Sequence, residues 1–109
     1  MQYWYHEQAL VHITQRVQHF AQQTNLTYKA VRVKDIKTCW GSCGYTGTLN
    51  FNWRLILALP RVVDYVVVHE LMHLKQRNHS NKFWNEVKTI IPDYRWDEQW
   101  LKESQLNDQ

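Results

Sequence analysis

Proline occurs only twice in this 109-residue chain, glycine three times and cysteine twice. So few breakers allow long uninterrupted elements, and two cysteines cannot staple a disulfide-dense scaffold. Cys39 and Cys43 are therefore expected as thiols in a reducing compartment. No apolar run approaches the roughly 20 residues that span a bilayer. The longest, Val62 to Val68, is interrupted by Asp64. The stretch Met1 to Leu10 lacks both a basic n-region and an apolar h-region, so no signal peptide, no membrane contact and a cytoplasmic location are expected. A strong charge of one sign is also missing. The formal net charge is +3, with Lys and Arg scattered rather than striped, which disfavours nucleic acid as the principal partner. Large rings are plentiful: six Trp and six Tyr stand ready to fill the single small core that this length can bury.

Hydrophobic spacing organises the chain as one domain over residues 1–109. Over residues 4–22 there is no Gly or Pro, and Leu10, Ile13, Val17 and Phe20 recur three and four apart, the pattern of an amphipathic helix. Residues 28–53 form the sheet region. Tyr28 to Lys37 alternates with β-branched residues, Gly41, Gly44 and Gly47 mark a turn region, and Thr48 to Trp53 reads as a second strand. A β-hairpin with an elaborate tip is the simplest arrangement. Pro60 opens a helix over residues 60–77 that is apolar on most sides and so buried. Ser80 is a plausible N-cap for the first of two helices over residues 80–103, separated at Ile91-Pro92-Asp93. The tail from Ser104 is expected to fray. The fold class that follows is α+β: an N-terminal helix, a short antiparallel sheet or hairpin, a buried helix and two C-terminal helices.

That buried helix carries His69-Glu70-Leu71-Met72-His73, the pattern His-Glu-x-x-His. Four residues advance a helix by about 400°, so both imidazoles leave one face a turn apart and can share one zinc ion. Glu70 follows His69 by about 100°. It is badly placed as a third ligand and well placed to take a proton from a metal-activated water, as general base. A catalytic zinc needs three protein ligands and an open position. Five residues separate His73 from His79, with the polar Asn78 late in the gap, so the chain can leave the helix and return His79 as third ligand. Two histidines and a glutamate in an apolar helix are costly unless something satisfies them, and a metal does. The rival is a structural Cys39, Cys43, His69, His73 site. Its Cys43-to-His69 gap is about twice the usual spacing, and it leaves Glu70 and His79 without roles. His12 and His19, on a Gln-rich helix face, are read as solvated.

Around the motif, Trp40-Gly41-Ser42-Cys43, Leu49-Asn50-Phe51-Asn52-Trp53-Arg54-Leu55, Asp64 to Leu74, Asn78-His79-Ser80 and Phe83-Trp84 closely resemble the YgjP-like metallopeptidase domain, a zincin-type family. The match runs in order from about Tyr28 to about Leu101. The resemblance implies a small zincin-like fold, one Zn²⁺ per chain on His69, His73 and His79, a catalytic Glu70, and a peptide or protein substrate. Cys39 departs from the family, which usually places a basic residue there. Trp40 and Cys43 are read as core packing and Gly41 as a turn residue. Asn50 or Asn52 is a candidate to bond the far nitrogen of a ligand imidazole. Tyr94 and Arg95 are candidate oxyanion stabilisers, and Thr48 to Trp53 is a candidate substrate-docking edge. Two other functions fit the motif less well. A phosphoester hydrolase would want an acidic cluster for Mg²⁺, and a zinc-stabilised interaction module would not need Glu70.

Overall fold

A computed structural model describes residues 2–104, with the side chain of Gln2 excepted; the tail expected to fray lies almost wholly outside the described residues. Helix α1 spans Gln2–Thr24. Its buried stripe is Ala9, Ile13, Val17, Phe20 and Ala21, whereas Leu10, counted into that stripe from its hydrophobicity, is exposed. Spacing alone cannot choose between Ala9 and Leu10. The helix ends at Asn25, whose φ of 61° is left-handed, and Leu26 N–H reaches back to the Ala21 carbonyl at 3.1 Å. This is the turn by which a helix satisfies its last carbonyls, and asparagine tolerates it.

Three strands follow: β1 Ala30–Lys34, β2 Gly41–Cys43 and β3 Thr48–Asn52. Their spatial order is β1-β3-β2. The expected antiparallel pairing of β1 with β3 is not found: the two run parallel, and the antiparallel pair is β2 with β3, Gly41 opposite Phe51. The glycine-rich segment is therefore itself a strand, not the tip of a hairpin between β1 and β3. Its insertion turns a two-stranded ribbon into a mixed sheet. Leu49 and Phe51 alternate into the core with no exposure. Because β3 is central, its edges are both used, and the docking edge expected there cannot be β3. The outer edges of the sheet belong to β1 and β2.

A 3-10 turn, Trp53–Leu57, leads into helix α2, Pro60–Met72, with Pro60 at its first position. Residues beyond Met72, read from sequence as more helix, form turns that redirect the chain toward Ser80. Helix α2 packs against α1, β2, α3 (Asn81–Ile90) and α4 (Tyr94–Glu103). Valine is a mediocre helix former, at a disadvantage of about 0.5 kcal/mol to alanine. Burying each valine is worth about 1.5–3 kcal/mol, so tertiary packing decides the conformation here. Val62, Val63, Val66, Val67 and Val68 are all buried. Two ion pairs lock α2 in place. Arg16 of α1 holds Asp64 bidentately at 2.7 and 3.0 Å, and Arg61 Nε donates to Asp97 of α4 at 2.7 Å. Among the described residues no helix is long and apolar enough to cross a membrane.

Candidate metal centre

His69 lies in the last turn of α2, His73 is its C-cap, and His79 stands one residue before Ser80, the N-cap of α3. The Ser80 hydroxyl accepts from Phe83 N–H, which fixes where α3 begins and so where His79 points. Phe83 is fully buried beneath the three imidazoles, with ring centroids 5.1, 4.6 and 5.1 Å from His69, His73 and His79. Trp84 flanks His69 and His79 at 5.6 and 5.7 Å. These aromatic walls hold each ring by packing before any ligand is considered.

The three rings converge through their outer nitrogens. His79 Nε2 is 3.0 Å from His73 Nε2 and 3.2 Å from His69 Nε2. His73 Nδ1 lies 3.0 Å from the Gln76 carbonyl, to which it must donate, so its Nε2 presents a lone pair. Lone pairs so arranged repel one another unless a proton or a cation lies between them. Nitrogens about 2.0–2.1 Å from a tetrahedral ion stand about 3.3 Å apart, close to what is seen. The donor set thus fits one metal ion. Burial, reinforced by its two neighbours, pushes His69 down to about 3, and burial also lowers His73. Both are kept neutral, the form that ligates a metal. Cys39 and Cys43 fall outside the grouping of His69, His73 and His79 found among the described residues. The four-ligand structural site is not assembled.

Glu70 sits beside this cluster at 6% exposure, where burial pushes its carboxyl up to about 8. A Cβ placed on Gly41 would approach Glu70 Cγ to 3.2 Å, Glu70 Oε2 to 3.3 Å and the Asn50 carbonyl oxygen to 3.1 Å. Strand β2 therefore presses its bare backbone against the glutamate. The glycine read from sequence as a turn residue is a close-approach residue instead.

Other expectations fare differently. Neither asparagine bonds an imidazole. Asn52 Nδ2 donates to the Ile36 carbonyl and, at 3.2 Å, to that of Cys39, while its Oδ1 accepts from Arg54 N–H at 3.0 Å. Asn50 Nδ2 donates to the Ser42 hydroxyl at 3.4 Å. The groups at the inner nitrogens are the Gln76 carbonyl and the Tyr65 hydroxyl, the latter 3.5 Å from His69 Nδ1. Tyr65 precedes His69 by four residues, so the helical period already placed it on the ligand face. Tyr94 stacks on Tyr65 and Trp84, one ring removed from the histidines, and its hydroxyl accepts from Arg95 Nε at 3.4 Å. Trp40 packs partly buried against the core, as expected. Cys43 is held by Arg77, which donates to its sulfur at 3.3 Å and to its carbonyl at 3.2 Å.

These shifts have a pH consequence for the chelated, metal-free chain. Glu70 is raised from 4.5 to about 8, so the folded state keeps a proton that the unfolded state loses, and stability drains away as pH climbs through that window. His69 falls from 6.5 to about 3, so its contribution is complete above 6.5 and is lost as pH drops. The two slopes cancel between 4.5 and 6.5. The melting temperature should be highest and nearly level across pH 4.5–6.5, fall by a few degrees at about pH 4, and fall further at about pH 8.5. A melting temperature that keeps rising from pH 6 to pH 8.5 would contradict this assignment.

A helix presenting two histidines and a buried glutamate, with a third histidine returned by the next turn, defines the class: a candidate metal-dependent hydrolase of zincin type. The chain belongs to the YgjP-like metallopeptidase domain family, whose model matches residues 1–104. It is thus a metal-dependent peptidase, a class whose substrates are peptides or proteins. The fold is similar to that of the metallopeptidase zymogen of Pyrococcus abyssi abylysin, with a TM-score of 0.78 at 21% identity, covering 87% of this chain and 96% of that one. It is also similar to the zymogen of Methanocaldococcus jannaschii jannalysin, with a TM-score of 0.64 at 27% identity over 71% of this chain and 79% of that one. No protein of curated function matches the chain.

Proposed function

We propose that His69, His73 and His79 hold a single zinc ion and that Glu70 is the general base of peptide-bond hydrolysis. The observation that carries this reading is the convergence of three imidazole nitrogens at 3.0 and 3.2 Å beside a buried carboxylate. Zinc supplies a Lewis acid that lowers the pKa of water toward neutrality. Glu70 takes the proton from the attacking water and later hands it to the leaving amine, a pair of roles available to one carboxyl group. A cation beside Glu70 opposes the effect of burial and favours its carboxylate form at neutral pH. Tyr65, at His69 Nδ1, and the Gln76 carbonyl, at His73 Nδ1, orient the ligand rings. The peptide docks along the free edge of β2, Gly41–Cys43, whose backbone passes directly over Glu70.

Metal content per chain tests the ligand set. Untagged protein prepared without chelators should carry about one zinc per chain by elemental mass spectrometry. His73→Ala and His79→Ala should each lose it, or bind it at least tenfold more weakly. Zinc that survives His79→Ala would remove the third ligand from this scheme.

A further inference from the structure

A cavity of about 710 Å³ opens where the start of α2 meets the turn between α3 and α4, away from the histidines. Its size is that of a ligand site. Its walls carry three cationic side chains, Arg61, Lys88 and Arg95, and one carboxylate, Asp93. Arg61 is fixed on two sides: its Nε donates to Asp97 at 2.7 Å, and its guanidinium lies 4.2 Å from the centroid of the Trp96 ring. Its two terminal nitrogens donate to no other described residue. Among the described residues, Lys88 and Arg95 have no carboxylate partner within ion-pair distance.

Asp97 makes this arrangement informative. It is 0% exposed, and among the described residues its only polar partner is Arg61 and its second oxygen meets no donor. A buried acid spent on one half-exposed arginine is a poor source of stability. It is a good way to hold a guanidinium still. A fixed fork with unused donors, beside two further cations, matches the planar geometry of a carboxylate.

The cavity also lies within reach of the catalytic cluster. Tyr94, on its wall, stacks at 5.0 Å on Trp84, whose ring is 5.7 Å from that of His79. Arg61 precedes His69 by eight residues on one helix, about 12 Å along its axis. An extended peptide covers that in about three or four residues at about 3.3 Å each. We propose that this cavity is a specificity site that takes an acidic side chain of the peptide substrate, three or four residues from the bond cleaved. The proposal rests on the peptidase reading above.

Binding to the Glu70→Gln protein, loaded with zinc, tests it without requiring hydrolysis. Fluorescein-labelled octapeptides carrying one Glu at each position in turn, and their Gln counterparts, would be compared by anisotropy at low salt. A Glu peptide should bind about tenfold or more tightly than its Gln twin at one or two positions. That preference should vanish in Arg61→Gln. Because Arg61→Gln strands Asp97, the Lys88→Gln/Arg95→Gln double variant is measured as well and should weaken the preference at least threefold with zinc content unchanged. Equal binding of the twins, no binding, or a preference that survives both variants overturns the proposal. Displacement of the Glu peptide by an equal concentration of inorganic phosphate overturns it too, in favour of a free-anion site. If the peptidase reading alone is wrong, hydrolysis is absent from the unsubstituted protein while this binding preference persists.

Discussion

Glu70→Gln is expected to cut peptide hydrolysis by about 10²–10⁴-fold while leaving metal content untouched. The amide keeps the size and shape of the glutamate, so the contact with Gly41 and the packing around it are preserved. What disappears is a group able to accept a proton. Burial already disfavours the Glu70 carboxylate in the metal-free chain, so a neutral side chain there should leave the metal-free protein as stable as before or slightly more so near pH 8. The three measurements belong together: turnover of a peptide mixture by mass spectrometry, zinc per chain, and melting temperature. Activity within tenfold of the unsubstituted protein, at equal zinc, would mean that another group takes the proton. Loss of zinc together with activity would make Glu70 part of the metal site instead.

Gly41→Ala is the second large effect, and it is steric in origin. The added methyl meets Glu70 Cγ and Oε2 at 3.2 and 3.3 Å and a backbone carbonyl of β3 at 3.1 Å. The carbonyl is held in the sheet, so the glutamate gives way. A carboxylate displaced by a fraction of an ångström from its reacting proton costs about tenfold to 10²-fold in kcat. Stability should fall by about 1–3 kcal/mol, as overpacking does. The position of Glu70 is the point at issue, and a double-mutant cycle isolates it. In the Glu70→Ala background only the contact with the β3 carbonyl remains, so the loss of melting temperature caused by Gly41→Ala should shrink. An equal loss in both backgrounds would assign the whole effect to the sheet and none to the glutamate. Ser42→Ala serves as the control in the same strand, since among the described residues the Ser42 hydroxyl is hydrogen-bonded only to Asn50 Nδ2.

Sequence and structure agree most closely where a feature depends on short-range periodicity. The helical spacing of His69 and His73, the start of α2 at Pro60, and the Ser80 cap of α3 are all local, because a helix closes its hydrogen bonds within four residues. Tyr65 belongs with these. Its four-residue offset from His69 was available in the sequence, hidden behind its value as a core aromatic. The sheet is another matter. Alternation identified the segments around β1 and β3, but pairing partners lie far apart in sequence, and nothing local tells parallel from antiparallel. The hairpin expectation failed there because three glycines look like a turn, while Gly41–Cys43 is a strand stitched to β3.

The site divides along the same line. The order of residues already contains the chemistry available: two imidazoles one helical turn apart, a glutamate between them, and a third histidine after a gap long enough to come back. It also determined that α2 is buried, since valines on nearly every side of one helix leave no polar face for water. That Phe83 and Trp84 wall in the three rings, that β2 lies over Glu70 and that Asp97 steadies Arg61 emerges from the packing of the folded chain. Each of these joins residues from different elements. Burial, close approach and orientation are properties of such meetings, and no stretch of sequence contains them.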